Sequence, residues 1–292
     1  MKNNKIKLKK GKSKVFIIAN FSREAVIPCI KKLIEFLLYY KIEIFIDCCA
    51  EKYIGNTGVE FVKNEDIIKD VDMVFVVGGD GTILRAAKSI IKYDKPILGI
   101  NAGRLGFLSN IEGDDIGTIS KLFKDGCNIE KRNVFDIKIK DKSFYAINDV
   151  YVTKTEPGKI SELFVECDNR EVCRYRADGI LVATSNGSTA YSMSAGGPIL
   201  DTSLSALIMT PVCPHSLISC SIVFSPEKVI SIGSSFNGGE KELDIVVDGE
   251  IVSKLNKDEK VDVMISEKNI SFVNITERGF YEVLNQKIIE RR

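Results

Sequence analysis

The stretch Val74-Phe75-Val76-Val77-Gly78-Gly79-Asp80-Gly81-Thr82 decides the fold of the first half of the chain. Its four apolar residues, three of them valine, are typical of a buried parallel strand. Glycines let the backbone approach a phosphate closely, and the N–H groups that open a helix attract negative charge. We therefore predict that the three glycines and Thr82 form a phosphate loop, with Asp80 as the nearest acidic group. An ordinary Asp-Gly turn is the alternative.

Strand and helix patterns alternate around this stretch. Strands are predicted over 14–20, 42–47, 73–77 and 96–100, and helices over 26–38, about 82–92 and 115–124. Because such alternation is typical of βαβ units, residues 1–128 are predicted to form an α/β domain with a parallel, Rossmann-like doubly wound sheet.

The pattern changes after residue 128. Phe135, Ile137 and Ile139 alternate with charged residues, and the same alternation returns at 243–247 and 261–265. This pattern indicates half-buried antiparallel strands, so residues 129–275 are predicted to form a mainly antiparallel β domain, as a sandwich or layered sheets. The sequence leaves open whether residues 276–292 return to the first domain.

Composition restricts the class of protein. The 292 residues are 45% hydrophobic and 28% charged, and their net charge of +1 gives no electrostatic case for nucleic acid or a membrane as partner. No apolar stretch is long enough to span a membrane, and no secretory signal is seen. The eight cysteines form no C-x-x-C pair, which favours reduced thiols and a cytoplasmic location. The seven lysines among residues 1–14 predict a solvated, partly disordered arm.

A second concentrated signal lies between Asp178 and Pro198. An apolar strand runs into a segment dominated by glycine and small hydroxyl residues. Hydroxyls donate and accept hydrogen bonds without bulk, which suits ribose and phosphate oxygens, and Tyr191 adds a flat aromatic face. A Ser/Gly-rich loop that merely turns is the alternative. The length of the segment favours a ligand surface.

Four segments, in this order, resemble the NAD kinases. They are Gly78-Gly79-Asp80-Gly81-Thr82, Asn101-Ala102-Gly103-Arg104-Leu105-Gly106-Phe107-Leu108, Asn148-Asp149, and Gly187-Ser188-Thr189-Ala190-Tyr191-Ser192-Met193-Ser194-Ala195-Gly196-Gly197-Pro198. The first segment is shared with diacylglycerol kinases and 6-phosphofructokinases, whereas the last is far more specific to NAD kinases. The resemblance extends from the first strand to the region of Val247-Asp248-Gly249.

The resemblance implies transfer of the γ-phosphoryl group of ATP to the 2′-hydroxyl of the adenosine ribose of NAD, which gives NADP. It also implies a divalent cation such as Mg²⁺ and a homodimer or homotetramer. Asp80 is then the general base that orients the hydroxyl and accepts its proton; a turn residue or an indirect metal ligand is the alternative. No side chain is predicted to be a dedicated metal ligand, and a lone histidine, His215, excludes a multi-histidine metal site.

The residues predicted on this basis to bind NAD are Asp80, Gly81, Arg85, Phe107, Asn148, Asp149, Arg176, Asp178, Thr189, Ala190, Tyr191, Ser192, Met193, Ser194 and Asp248. Local alternatives stay open for several of them. Arg85 is equally well explained as solvated, Phe107 as core, and Asn148-Asp149 as an Asx turn. Asp178 taken alone is a surface carboxylate, and Asp248 lies in a β-turn setting.

Three positions depart from the family pattern. Thr184-Ser185-Asn186-Gly187 stands where the family usually has Thr-Pro-Thr-Gly, Asn148-Asp149 where it has Asn-Glu, and Cys220-Ser221 where relatives often have Arg-Pro. None of them changes Asp80, so they bear on substrate affinity and leave the reaction intact. Two other functions compete: a lipid or sugar kinase with the same glycine-aspartate loop, and a catalytically silent dinucleotide-binding module.

Overall fold

The computed structural model of the protein describes residues 5–55, 57–63, 65–103, 106–156, 160–215, 219–236, 242–276 and 278–290. The chain divides into two compact units, Met1–Lys131 with Ile270–Arg292, and Arg132–Asn269. The sequence-based borders are 128 and 275. Residues 129–131 and 270–275, predicted in the second domain, therefore belong to the first unit.

In chain order the strands are β1 (Lys5–Ile6), β2 (Lys14–Ala19), β3 (Glu43–Asp47), β4 (Glu60–Val62), β5 (Met73–Val77), β6 (Ile97–Asn101), β7 (Ile111–Glu112), β8 (Cys127–Ile139), β9 (Lys142–Ala146), β10 (Asp149–Lys154), β11 (Ser161–Cys167), β12 (Arg170–Ala177), β13 (Gly179–Ala183), β14 (Leu207–Val212), β15 (Ile222–Phe224), β16 (Ile230–Ser234), β17 (Glu242–Val247), β18 (Glu250–Asn256) and β19 (Lys260–Asn274). The α-helices are α1 (Val26–Tyr39), α2 (Glu51–Ile54), α3 (Asp80–Ile90), α4 (Lys121–Lys124), α5 (Tyr191–Ser194) and α6 (Phe280–Glu290). Short 3₁₀ helices span Cys48–Ala50, Glu65–Asp70, Ile91–Tyr93, Ile116–Ser120 and Asn186–Thr189.

The first unit is built on a parallel sheet in the order β6-β5-β2-β3-β4. Phe272 of β19 adds a parallel pair with Ile97 of β6. All five residues of β5 are buried, which is expected for a central parallel strand covered on both faces. The amphipathic helix α1 adds Ile30, Leu33 and Leu37 to the same core. The doubly wound α/β prediction is confirmed.

Three details of the first unit correct the sequence-based predictions. The lysine-rich start is part of the fold from Lys5 onward, because Lys5–Ile6 pairs with β8 and Leu8 is buried. Helix α3 begins at Asp80, two residues before the predicted start, so the acidic residue lies in the first helical turn. The predicted helix over 115–124 is a 3₁₀ helix followed by the single turn of α4.

The second unit is almost entirely antiparallel. One six-stranded sheet has the order β15-β14-β13-β10-β17-β18, and β12, β11, β16 and β19 pair in that order in another layer. Alternate residues of both layers, including Phe135, Val150 and Val263, form one buried cluster, which confirms a layered β domain. Asp244, predicted on the solvent face of its strand, is nearly buried and pairs with Lys254. Among the helices described, none is long and apolar enough to cross a membrane.

Candidate functional site

The glycine-aspartate loop joins the carboxyl end of β5 to α3. The Gly78 N–H donates to the Ile100 carbonyl at 2.9 Å, which ties the loop to β6. The next residue, Gly79, is extended and accepts N–H bonds from Thr82 and Ile83 as the helix begins. A Cβ at position 78 would lie 2.7 Å from the Thr82 side chain. Gly78 is therefore required by the closeness of Thr82.

The carboxylate of Asp80 lies against the turn that contains Gly106, Phe107 and Leu108. Its Oδ2 accepts the Phe107 N–H at 2.8 Å, and its Oδ1 accepts the Leu108 N–H at 3.2 Å. A Cβ on Gly106 would overlap this carboxylate and force it to turn away, so glycine allows the carboxylate to keep this position. Each carboxylate oxygen keeps a further lone pair, and Asp80 is partly exposed, so the group can accept additional hydrogen bonds.

Buried polar side chains support that turn. The Ser109 hydroxyl accepts the Gly106 N–H at 2.9 Å and lies 3.4 Å from the Asn101 amide nitrogen. The Phe107 ring, predicted to meet a dinucleotide or the core, is half-buried with its centroid 6.4 Å from that of Phe280 in α6. The chain near residue 280 therefore contributes to the surroundings of the turn. Arg104 and Leu105 of the same sequence motif lie outside the described residues.

Two residues that sequence reasoning missed border the glycine-aspartate loop. The Asn20 amide nitrogen lies 3.4 Å from the Thr82 hydroxyl, and its oxygen accepts the N–H and hydroxyl of Ser22. A guanidinium nitrogen of Arg23 lies 3.2 Å from the position that a Cβ on Gly79 would take. Arg85, predicted to bind NAD or to be solvated, is exposed and has no ion pair with the residues the structure describes. Arg23 was missed because it lies more than 50 positions before the loop in the sequence and so gives no local sequence signal.

The second unit contains a different carboxylate site at Asp248. Its Oδ2 accepts the Ile147 N–H at 3.0 Å, and its Oδ1 accepts the N–H groups of Asn148 at 2.7 Å and Asp149 at 3.1 Å. Asp248 has a φ of +48° in the turn from β17 to β18. Its carboxylate thus fixes the backbone of the Asn-Asp segment, a role that the β-turn interpretation of the sequence did not suggest.

The hydroxyl-rich segment bonds mostly to the protein itself. The hydroxyls of Thr184, Ser185 and Thr189 donate to the carbonyls of Ile147, Leu204 and Asn186, respectively. Ser188 exchanges bonds with the backbone of Leu200, and Ser192 lies 3.5 Å from the Thr210 hydroxyl. These hydrogen bonds shape the loop, and the proposal that the hydroxyls form a ribose and phosphate surface stays a prediction.

The exposed part of this segment is at α5. Tyr191 is 44% exposed, and its ring stands edge-on to that of Tyr151 with centroids 5.4 Å apart. Burial raises the pKa of Tyr151 to about 12, so its hydroxyl stays protonated at neutral pH. Ser194 is exposed, whereas Ala190 and Met193 are half-buried. This end of the segment is the part that offers surface to a ligand.

Asp178 and Arg176, both in the second unit, differ in their side-chain partners and exposure. Asp178 is an ion-pair partner of Lys154, with side chains 33% and 20% exposed, so it is more than a solvated surface carboxylate. Arg176 is exposed on β12, and its carbonyl accepts the His215 N–H at 2.7 Å. The structure therefore brings Asp178 into a polar pair, whereas the Arg176 side chain faces solvent.

A chain of amides links a buried arginine to Asn148. The Arg132 Nη1 donates to the Asn186 Oδ1 at 3.1 Å, and the Asn186 Nδ2 donates to the Asn148 Oδ1 at 2.7 Å. Arg132 and Asn186 are 8% and 9% exposed. A Cβ on Gly187 would overlap the Asn148 carbonyl, and the Thr184 N–H donates to that carbonyl at 2.8 Å. The backbone around Asn148 is therefore closely packed.

A dedicated metal site of oxygen ligands is not formed by the part of the chain that the structure describes. The group of side chains close enough to share a cation there is Asp47, Cys48 and Cys49, and two of its three ligands are thiols. Mg²⁺ prefers oxygen ligands and often takes one or two carboxylates together with substrate phosphates. The carboxylate of Asp80 beside the glycine loop fits that second arrangement.

Comparison with protein families matches both units. The family model described as ATP-NAD kinase N-terminal domain matches residues 15–126, and the one described as ATP-NAD kinase C-terminal domain matches residues 147–275. A curated NAD kinase of Caldicellulosiruptor saccharolyticus is 36% identical over 281 residues, which cover 94% of this chain and 99% of the relative. The NAD kinase of Caldicellulosiruptor bescii is 41% identical over 223 residues, which cover 76% and 84%.

Solved structures show the same fold. Yeast NADH kinase complexed with NADH superposes with a TM-score of 0.81 at 23% identity, covering 97% of this chain and 88% of that one. An NAD kinase from Archaeoglobus fulgidus in complex with ATP gives a TM-score of 0.74 at 24% identity, covering 94% and 98%. At these identities the likeness establishes the architecture of the chain.

Proposed function

Because the chain belongs to the ATP-NAD kinase family, whose members are phosphotransferases, we propose that it transfers the γ-phosphoryl group of ATP to the 2′-hydroxyl of the adenosine ribose of NAD. The product is NADP. The observation that carries the proposal on the chemical side is the Asp80 carboxylate, held by two N–H groups at the first turn of α3.

The proposed role of Asp80 is to orient the 2′-hydroxyl and accept its proton. Phosphoryl transfer requires mainly positioning and charge stabilisation, so one well-held carboxylate is sufficient on the acceptor side. The Phe107 and Leu108 N–H groups fix the plane of this carboxylate and leave lone pairs for the hydroxyl. The glycine loop and the N-terminus of α3 are assigned to phosphate oxygens.

The second unit is assigned to NAD recognition. Asn148 and Asp149 follow β9 on a backbone segment that Asp248 holds by three N–H bonds. Asn148 is partly exposed, whereas Asp149 is 6% exposed, so we assign the direct contact to Asn148 and a supporting role to Asp149. Tyr191 offers the exposed aromatic face of this unit for a ring of the dinucleotide.

A divalent cation such as Mg²⁺, when bound, would offset the charge of the phosphate oxygens. We assign the cation mainly to those phosphate oxygens, with Asp80 as an indirect contact through water, because its carboxylate is assigned to the hydroxyl. A cytoplasmic location and a homodimer or homotetramer remain predictions. All eight cysteines are free thiols in the structure.

The experiment that tests the proposal identifies the product. The purified full chain is incubated with ATP, Mg²⁺ and NAD, and phosphorus NMR with mass spectrometry locates any new phosphate. We expect a 2′-phosphomonoester on the adenosine ribose. Parallel reactions with diacylglycerol test for a lipid kinase, and thermal stabilisation by NAD without NADP formation would indicate a silent binding module. Replacing ATP by polyphosphate and NAD by NADH defines the range of substrates.

A further inference from the structure

The direction of hydrogen bonds in the Arg132–Asn186–Asn148 chain is fixed from one end. A guanidinium group only donates, so Asn186 must turn its oxygen toward Arg132. The NH₂ group of Asn186 then points to Asn148, whose side-chain oxygen accepts the hydrogen bond. Asn148 is left with its NH₂ group for any other partner, and this orientation follows from the chemistry of Arg132.

The backbone of Asn148 has no freedom to undo this orientation. Its N–H is bound by Asp248 at 2.7 Å, and its carbonyl accepts the Thr184 N–H at 2.8 Å. Only the side-chain torsions remain, and the Asn186 contact decides them. Within the described part of the chain, the NH₂ group of Asn148 has no hydrogen-bond partner, and the residue is partly exposed. The donor is therefore available to a ligand.

We infer that Arg132 and Asn186 are positioning residues that hold Asn148 as a hydrogen-bond donor, so that the atom of NAD it meets is an acceptor. The inference rests on the proposed function, since it takes NAD as the ligand of Asn148. Asn186 stands where the family pattern has threonine. A hydroxyl both donates and accepts and would not transmit a direction, whereas an amide with one donor end and one acceptor end does.

The variant Asn186→Asp tests the inference by reversing the direction. The new carboxylate still pairs with Arg132, but it accepts from Asn148, whose amide then offers its oxygen to the ligand. Two acceptors facing each other lose the hydrogen bond, so KM and the dissociation constant for NAD should rise about tenfold. The value of kcat should stay within about threefold, because Asp80 is untouched. Asn169→Asp, at an exposed turn position with a φ of +64°, is the matched control.

Two variants of Arg132 distinguish its effect on hydrogen-bond direction from a purely structural role. Arg132→Lys keeps a donor-only cation and should preserve the KM for NAD, whereas Arg132→Leu lets both amides turn either way and should raise it about threefold. Arg170→Leu, at an exposed position, is the control for the second change. A merely structural arginine would lower the melting temperature and kcat together, and lysine would not restore the KM selectively.

An Asn186→Asp protein that forms NADP with a KM within twofold of the wild type would overturn the inference. So would a fall in kcat with unchanged KM. If that variant does not fold, a KM for NAD that is equal in Arg132→Leu and the wild type would overturn the inference in its place. A wild-type protein that makes no NADP would instead refute the proposed function, so the two failures are distinguishable.

Discussion

Two Asp-Gly pairs of this chain look alike in sequence and differ in the fold. Asp80-Gly81 opens α3 after a buried parallel strand, whereas Asp248-Gly249 forms the turn between β17 and β18 with φ values of +48° and +83°. Both carboxylates accept backbone N–H groups. Asp80 accepts two, one on each oxygen, and Asp248 accepts three from consecutive residues.

The difference shows how the same type of side chain, an aspartate carboxylate, has two different roles. Three bonds from residues 147–149 make Asp248 part of the backbone scaffold of its unit. The two N–H bonds to Asp80 fix the plane of its carboxylate. Its remaining lone pairs are available to a reacting hydroxyl. We therefore expect changes at Asp80 to act on turnover and changes at Asp248 to act on stability and NAD affinity.

The largest effect is expected for Asp80→Asn. An amide does not accept the proton of the 2′-hydroxyl, so kcat should fall by roughly 10²- to 10⁴-fold. Steady-state NADP formation measures this, with Asp125→Asn at an exposed position as control. Turnover near that of the wild type would remove the base role from Asp80.

A smaller effect is expected for Asp248→Asn. The amide has one oxygen, so at least one of the three N–H groups would face an NH₂ group, and the free energy of unfolding should fall by about 1–3 kcal/mol. The KM for NAD should rise because Asn148 loses its anchor. Urea denaturation and NADP kinetics measure the two effects.

Asp258→Asn is the control for that change, since its φ of +64° matches the turn geometry. Unchanged stability together with an unchanged KM in Asp248→Asn would contradict the scaffold role.

Alanine at two glycines sharpens the comparison. Gly187→Ala places a Cβ against the Asn148 carbonyl, a backbone atom, and should lower the free energy of unfolding by about 1–3 kcal/mol. Gly106→Ala places a Cβ against the Asp80 carboxylate, which can turn away. We therefore expect kcat to fall while the free energy of unfolding changes little. Gly117→Ala, which meets open space, is the control. Equal losses of stability and activity in both variants would not fit two separate roles.

The smallest effect is expected for Asp178→Asn. The change breaks the ion pair with Lys154. Both side chains of the pair are partly exposed and screened by water, so the free energy of unfolding should fall by about 0–1 kcal/mol. Denaturation at low and high salt measures it. A loss that is large and independent of salt would mean that Asp178 supports the fold in another way.

The parts of the molecule governed by local periodicity were predictable from sequence. The buried strand β5 follows from a run of consecutive apolar residues, α1 from a period of 3.6 residues, and the half-buried strands after residue 128 from a period of two. The end of β5 at Val77 was predictable because two glycines follow the apolar run. The start of α3 was misplaced, since Asp80-Gly81 is as typical of a turn as of a first helical turn.

The parts decided by distant contacts were not predictable. Asp248 meets residues about 100 positions away, and Arg132 meets Asn186 at a separation of 54. Neither partner gives a local pattern. The carbonyl partners of the Thr184 and Ser185 hydroxyls were likewise not predictable, because composition reports hydrogen-bonding capacity but not direction. The buried Leu8 shows the same limit, since the lysines around it dominate the sequence pattern.

The most direct test is calorimetric titration of NAD into Asp80→Asn and Asp248→Asn. If Asp80 acts on the reacting hydroxyl and Asp248 builds the recognition segment, Asp80→Asn should bind NAD within a few-fold of the wild type, and Asp248→Asn should bind it more weakly. Loss of NAD binding in Asp80→Asn, with full binding in Asp248→Asn, would contradict this division.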